Sequence, residues 1–257
     1  MKNATKLQNS FKIFCEKKGK GKPNYVFIHG TGGDHTQFVS QMDYFSQKGT
    51  TLTFDLRGHG KSEKTATKYT IECFADDIQR ILLSQEIIKP ILVGFSMGGN
   101  IAIELASRHP NLAKALVLLD SSFLYTTKTQ ELMQSYYENI QKDFKKTIAE
   151  IVNQSCLPHD KYKPKITKAL LSTPQSVWAS ALKGMLEWDT LAAEKLKKCT
   201  LPILYIEATH QVVDMNRFKD LCPQLVHGKT VGSGHFISME VPEQVNSMIE
   251  HFQKIYL

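Results

Sequence analysis

The chain has 257 residues, 42% of them hydrophobic and 22% charged, enough for one large α/β domain with an insertion or for two small domains. Its formal charge is +7, yet no basic run is interleaved with aromatics and no nucleic-acid motif is present, so no nucleic-acid partner is expected. No apolar run approaches the ~20 residues a membrane span needs. The first 22 residues lack the apolar core of a signal peptide, so the chain reads as cytoplasmic, without membrane contact, and as a monomer or homodimer. The five cysteines (Cys15, Cys73, Cys156, Cys199, Cys222) are scattered, odd in number and without C-x-x-C spacing. Reduced thiols are therefore expected, with no disulfide framework and no metal site.

In chain order, "FKIFCE" (11–16) and "NYVFIH" (24–29) read as strands joined by the turn "KKGKGKP". A helix is expected over 35–48, then a third strand at "TTLTFD" (50–55). The following "RGHGKS" is a tight turn that Asp55, Arg57, Gly58 and Gly60 order; Asp55 reads as structural. Residues 70–84 carry Ile71, Phe74, Ala75, Ile78, Ile81 and Leu82 at helical spacing behind Thr70, a capping residue. "PILVGF", "ALVLLD" and "PILYIE" are continuous apolar runs, as strands buried on both faces of a parallel sheet are. Residues 122–189 break the strand–helix rhythm and read as a helical insertion, which divides the core into 1–121 and 190–257. "LVHGKTV" is the last strand, and Pro242 opens the terminal helix.

Two short segments carry chemistry. "GFSMG" (94–98) is G-x-S-x-G between a strand and a helix. That abrupt turn projects Ser96 beside a helix N-terminus and reads as a nucleophile in preference to a plain turn. A serine hydroxyl needs a base and an oxyanion site. "GSGHF" (232–236) supplies His235 in a loop after the last strand, where a sheet presents its ligands. The N–H of Met97, next after the serine, is one oxyanion donor. The glycine loop "HGTGG" (29–33) brings further N–H groups, with His29 holding that loop structurally.

With "HGTGG", "DLRGHGKS", "GFSMGG" and "GSGHF" in that order, the chain resembles the α/β-hydrolase superfamily over nearly its whole length. It is most similar to the small-molecule branch with a helical cap: carboxylesterases, carbon–carbon bond hydrolases, lactonases and pimeloyl-carrier-protein methyl esterases. The resemblance implies an eight-stranded, mostly parallel sheet flanked by helices, a cap after the sixth strand, Ser96 as nucleophile and His235 as base. It also implies an oxyanion hole of Thr31 and Met97, and no metal or organic cofactor. It further implies an aspartate after "PILYIE", but that position falls on His210 or Gln211, neither a carboxylate. Asp120, which ends "ALVLLD", is the first substitute, because some members keep their acid there. Asp214 is the second, although it reads more naturally as the cap of the helix "MNRFKDLC". Glu207, or a Ser–His dyad without an acid, completes the alternatives.

The activity implied is hydrolysis of a small or medium carboxylic ester, thioester or lactone. Carbon–carbon bond hydrolysis, cofactor-independent oxygenation and a non-catalytic ligand receptor are the alternatives. Residues 121–200 hold twelve lysines against eight acidic residues, which favours an anionic acyl substrate or one carried on an acidic carrier protein. Solvated lysine faces explain the excess equally. Trp178 and Trp188 in the insertion either shape a pocket or pack the cap.

Overall fold

A computed structural model describes residues 2–6, 12–64, 68–209 and 212–257. Eight strands form one sheet: β1 (Lys2–Lys6), β2 (Lys12–Lys18), β3 (Asn24–Ile28), β4 (Thr50–Phe54), β5 (Ile91–Phe95), β6 (Ala115–Leu119), β7 (Ile203–Glu207) and β8 (Leu225–Lys229). Their order is β1-β2-β4-β3-β5-β6-β7-β8. The β1–β2 and β2–β4 pairs are antiparallel and every other pair is parallel, so the expected architecture holds.

Three details differ from the sequence reading. "KNATK" is polar and carries no strand periodicity, yet it forms β1 at the sheet edge, where backbone pairing alone suffices. The first two expected strands do not pair with each other, because β3 is flanked on both sides by parallel neighbours and β2 docks on β4 instead. The helix expected over 35–48 is a 3₁₀ turn (His35–Phe38) followed by α1 (Val39–Phe45). Asp34 accepts the Thr36 N–H at 2.8 Å and tightens the entry.

The apolar runs of the central strands follow from two covered faces. Val26 and Ile28 face one core and Tyr25 and Phe27 the other, and Leu92 opposes Ile91 and Val93 in the same way. On the first face lie α2 (Ile71–Ser84) and α3 (Met97–Arg108); on the second lie α1 and α11 (Pro242–Tyr256). Thr70 caps α2 as expected, accepting the Cys73 N–H, and the apolar stripe of α2 is buried.

Between β6 and β7 the chain runs through α4 (Thr127–Lys142), α5 (Phe144–Ser155), α6 (Lys163–Ser172), α7 (Gln175–Asp189) and α8 (Ala192–Lys197). Helix α7 feeds both cores: Val177, Ala181, Met185 and Trp188 enter one, Trp178 and Leu182 the other. A buried polar contact fixes its end. Trp188 Nε1 donates to Glu104 Oε2 of α3 at 2.9 Å, and Lys195 Nζ of α8 reaches the same carboxylate at 2.9 Å. Beyond β7 come α9 (Met215–Leu221), β8 and α10 (Ile237–Glu240). Among the described residues no disulfide is formed, and four of the five cysteines are buried. Among the described residues no helix is long and apolar enough to cross a membrane.

Trp188→Phe removes a donor from the buried Glu104 carboxylate, a loss of roughly 1–3 kcal/mol for such a bond. Urea unfolding is expected to show a lower midpoint by that amount, with an unchanged slope.

Candidate active site

The sheet changes winding direction at β3 and β5: the chain moves outward from β3 to β4, and from β5 through β6 and β7 to β8 on the other side. Loops leaving adjacent strands that wind in opposite directions part and open a crevice at the carboxyl ends. There the loops after β3, β5, β6 and β8 bring together residues far apart in sequence.

Ser96 follows β5 directly and caps α3, with φ 51° and ψ −122°. Its N–H donates to Leu119 O at 3.0 Å, and its carbonyl accepts the Gly99 N–H at 2.9 Å. The motif's second glycine is required sterically, since a Cβ on Gly98 would stand 2.1 Å from Ile28 O. Met97 occupies the first turn of α3, where backbone N–H groups have no partner within the helix. Thr31, in the loop after β3, meets it: Thr31 Oγ1 lies 3.3 Å from Met97 Sδ and 3.3 Å from Met185 Sδ of α7. The insertion also pins this loop. Thr173 Oγ1 donates to Gly32 O at 3.1 Å, and a Cβ on Gly32, whose φ is +71°, would strike the Trp178 ring at 2.0 Å.

Asp120 follows β6 at φ 42°, an uncommon conformation for a residue with a side chain. One carboxylate oxygen accepts the Ala208 N–H at 2.8 Å; the other lies 2.6 Å from His235 Nδ1. Of the three carboxylates considered, the structure brings Asp120 to His235. Asp214 caps α9, accepting the Arg217 N–H at 3.1 Å. Glu207 is engaged by His227 at 3.2 Å and Lys229 at 3.5 Å. His210 and Gln211 lie outside the described residues. His235 also rests on aromatic rings, with Phe95 and Phe236 centroids at 4.7 and 5.4 Å.

Neighbouring polar groups stiffen the loops. Buried His29 accepts the Leu56 N–H on Nε2 at 2.9 Å, so Nδ1 carries the hydrogen donated to Gly30 O at 2.8 Å. Burial holds its pKa below the usual range, which keeps it neutral. It does not line the cavity described below, in keeping with a structural role. Asp55 accepts from the His35 N–H at 2.7 Å and the Lys61 N–H at 2.7 Å, and it contacts His35 Nδ1 at 2.7 Å. Burial opposes its charge, but these bonds outweigh burial and hold Asp55 below the usual carboxylate range. Arg57 grips Asp77 of α2 with two bonds of 2.5 and 2.6 Å. Fully buried His59 is lowered to about 3, chiefly by desolvation, and packs as a neutral ring.

Ser96, Asp120, His235 and Thr31 all border one cavity of about 580 Å³, within the range of small-molecule sites. Its walls are mainly apolar and come largely from the insertion, including Leu132 and Met133 of α4 and Leu182 and Met185 of α7. Lys128 is the one lysine or arginine among the described lining residues. No motif flags these wall positions. Their signal is only an apolar helical stripe, which packing produces equally well.

A family model described as "alpha/beta hydrolase fold" matches residues 23–169. AB hydrolase superfamily protein YisY of Bacillus subtilis (strain 168) is 26% identical over 264 residues, covering 96% of this chain and 97% of that protein. The (E)-2-((N-methylformamido)methylene)succinate hydrolase of Acinetobacter baylyi is 23% identical, with 95% of each chain covered. Among solved structures, a thermophilic esterase from Thermogutta terrifontis with malate bound superposes with a TM-score of 0.86 over 100% of both chains, at 23% identity.

Proposed function

Because the chain belongs to the α/β-hydrolase family, we propose that it is a serine hydrolase cleaving a carboxylic ester, thioester or lactone through an acyl-enzyme on Ser96. The observation that carries this reading is the 2.6 Å contact between Asp120 and His235 beside the cavity that Ser96 borders. His235 takes the Ser96 proton as the hydroxyl attacks the carbonyl. Asp120 orients the imidazole through Nδ1 and stabilises its cation, leaving Nε2 for the serine. The N–H groups of Thr31 and Met97 receive the oxyanion. His235 then protonates the leaving group and activates the water that releases the acid. The insertion acts as a cap, and its apolar walls hold the acyl chain and exclude bulk water.

Lys128 supports an acyl substrate with a negative charge away from the reacting carbonyl. A lysine on a mainly apolar wall offers an anion a partner that a neutral ester does not use. The hydrolase in Acinetobacter baylyi has a succinate in its name, in keeping with such a substrate. The Asp120–His235 pair would equally serve cofactor-independent oxygenation, in which His235 deprotonates the substrate; oxygen consumption with a hydroxylated heteroaromatic substrate separates the two readings.

With p-nitrophenyl acetate and butyrate, Ser96→Ala is expected to lower kcat/KM by roughly 10³-fold or more. Equal rates in wild type and variant would overturn the reading. Asp120→Asn is expected to lower kcat by about 10²–10⁴-fold. Asp214→Asn, which preserves an N-cap, is expected to stay within about twofold of wild type. Lys128→Ala is expected to raise KM about tenfold for a succinate monoester but not for p-nitrophenyl butyrate, a loss of ~1.4 kcal/mol. Parallel changes for both esters would remove Lys128 from recognition.

A further inference from the structure

The chemistry above leaves one half-buried cluster unused, and it lies against the loop that carries His235. Glu240 ends α10, and its carboxylate accepts the Gly234 N–H in a short bond. This bond holds the backbone of the residue just before His235. The N–H of His235 itself donates to Ser155 O at 2.6 Å, at the last residue of α5. Two successive backbone amides are thus held, Gly234 by Glu240 and His235 by the insertion.

The insertion reaches Glu240 a second time. Asp160 sits in the turn between α5 and α6, where its Oδ1 accepts the Tyr162 N–H at 2.7 Å. One carboxylate oxygen each of Asp160 and Glu240, together with Cys156 Sγ, lie within 4.8 Å of one another. Asp160 Oδ2 and Glu240 Oε1 are both buried, and neither finds a donor among the described residues. Two ionised carboxylates offer only acceptors to each other. A single proton between them satisfies both oxygens and removes one of two like charges.

We propose that Glu240 is a positioning residue for His235, and that a proton shared with Asp160 latches the His235 loop to the helical insertion, so that losing this proton loosens the seat of the base. This rests on the functional reading of Ser96 and His235 and adds a control on it. Burial is the main cause that raises the Glu240 carboxyl, to about 7; Asp160 adds to the rise, while the Gly234 N–H opposes it. The Cys156 thiol, pushed up to about 12 by burial and these carboxylates, and Lys163 of α6 are the other titratable groups facing the cluster. His235 turns its Nδ1 to Asp120 instead. Since the folded chain holds the Glu240 proton more tightly than the unfolded chain, the latch is fully present below pH ~4.5 and is lost as pH rises through about 7.

Asp160→Asn and Glu240→Gln keep the shape of the pair and replace the titrating proton with amide hydrogens. In chelator-treated buffer with p-nitrophenyl butyrate, wild-type kcat relative to either variant is expected to fall about tenfold between pH 6 and pH 9, with KM within about twofold. Hydrogen exchange at the His235 amide, corrected for intrinsic rate, is expected to be about tenfold faster in wild type than in Asp160→Asn at pH 9 and equal at pH 6. Ratios that stay flat across this range in both measurements overturn the latch. The exchange measurement needs no turnover. If hydrolysis proves independent of Ser96, the functional reading fails while the exchange ratio still decides the latch.

Discussion

Holding a side-chain-bearing residue at φ 51° and ψ −122° stores about 1–3 kcal/mol of backbone strain, and Ser96 is held there because both its flanks are fixed. Strand β5 is locked between β3 and β6 before the turn, and α3 starts at once after it. The bond from Ser96 N–H to Leu119 O ties the turn to the end of the next strand, where Asp120 adopts a second positive φ. Two strained residues therefore end neighbouring strands. Their strain is borne by two apolar cores, one on each face of the sheet, and it sets the spacing between the serine and the acid that faces His235.

Much of this was legible in the sequence, and for a physical reason. G-x-S-x-G encodes a turn that few other residues tolerate, and the apolar runs encode strands covered on both faces. Thr70 and Asp214 read correctly as caps because a capping side chain acts on the next turn of its own chain. The partner of His235 was not settled locally. Asp120 and His235 are 115 positions apart, and only the order of β6, β7 and β8 brings their loops together. Asp214 and Glu207 are nearer His235 in sequence yet are engaged elsewhere. Strand β1 escaped notice because an edge pairing uses backbone groups, which every sequence has.

The insertion is fastened to the core with uneven firmness. Helix α7 supplies apolar side chains to both cores, and Trp188 is anchored on the buried Glu104. The loop after β3 is pinned under Trp178 and bonded to Thr173. On the His235 side the fastening is polar, through Ser155 and the carboxyl pair. Apolar packing hardly responds to pH, whereas a shared proton does, so the two sides of the cavity answer to different conditions.

Helix α4 is fastened more lightly: Met133 and Tyr136 pack half-buried against the cores and Tyr136 OH donates to Gln154 of α5 at 2.6 Å, while Lys128 and Leu132 are exposed. Of its sixteen residues only Ile140 is buried, although Lys128, Thr129, Leu132, Met133 and Tyr136 border the cavity. Substitutions at exposed positions typically change stability by no more than about 0.5 kcal/mol. The Lys128 and Leu132 part of this wall can therefore be rewritten almost independently of the scaffold that holds Ser96, Asp120 and His235. In evolutionary terms the exposed face of α4 is the readiest route to a new substrate, and a library confined to Lys128 and Leu132 would sample specificity while sparing the fold.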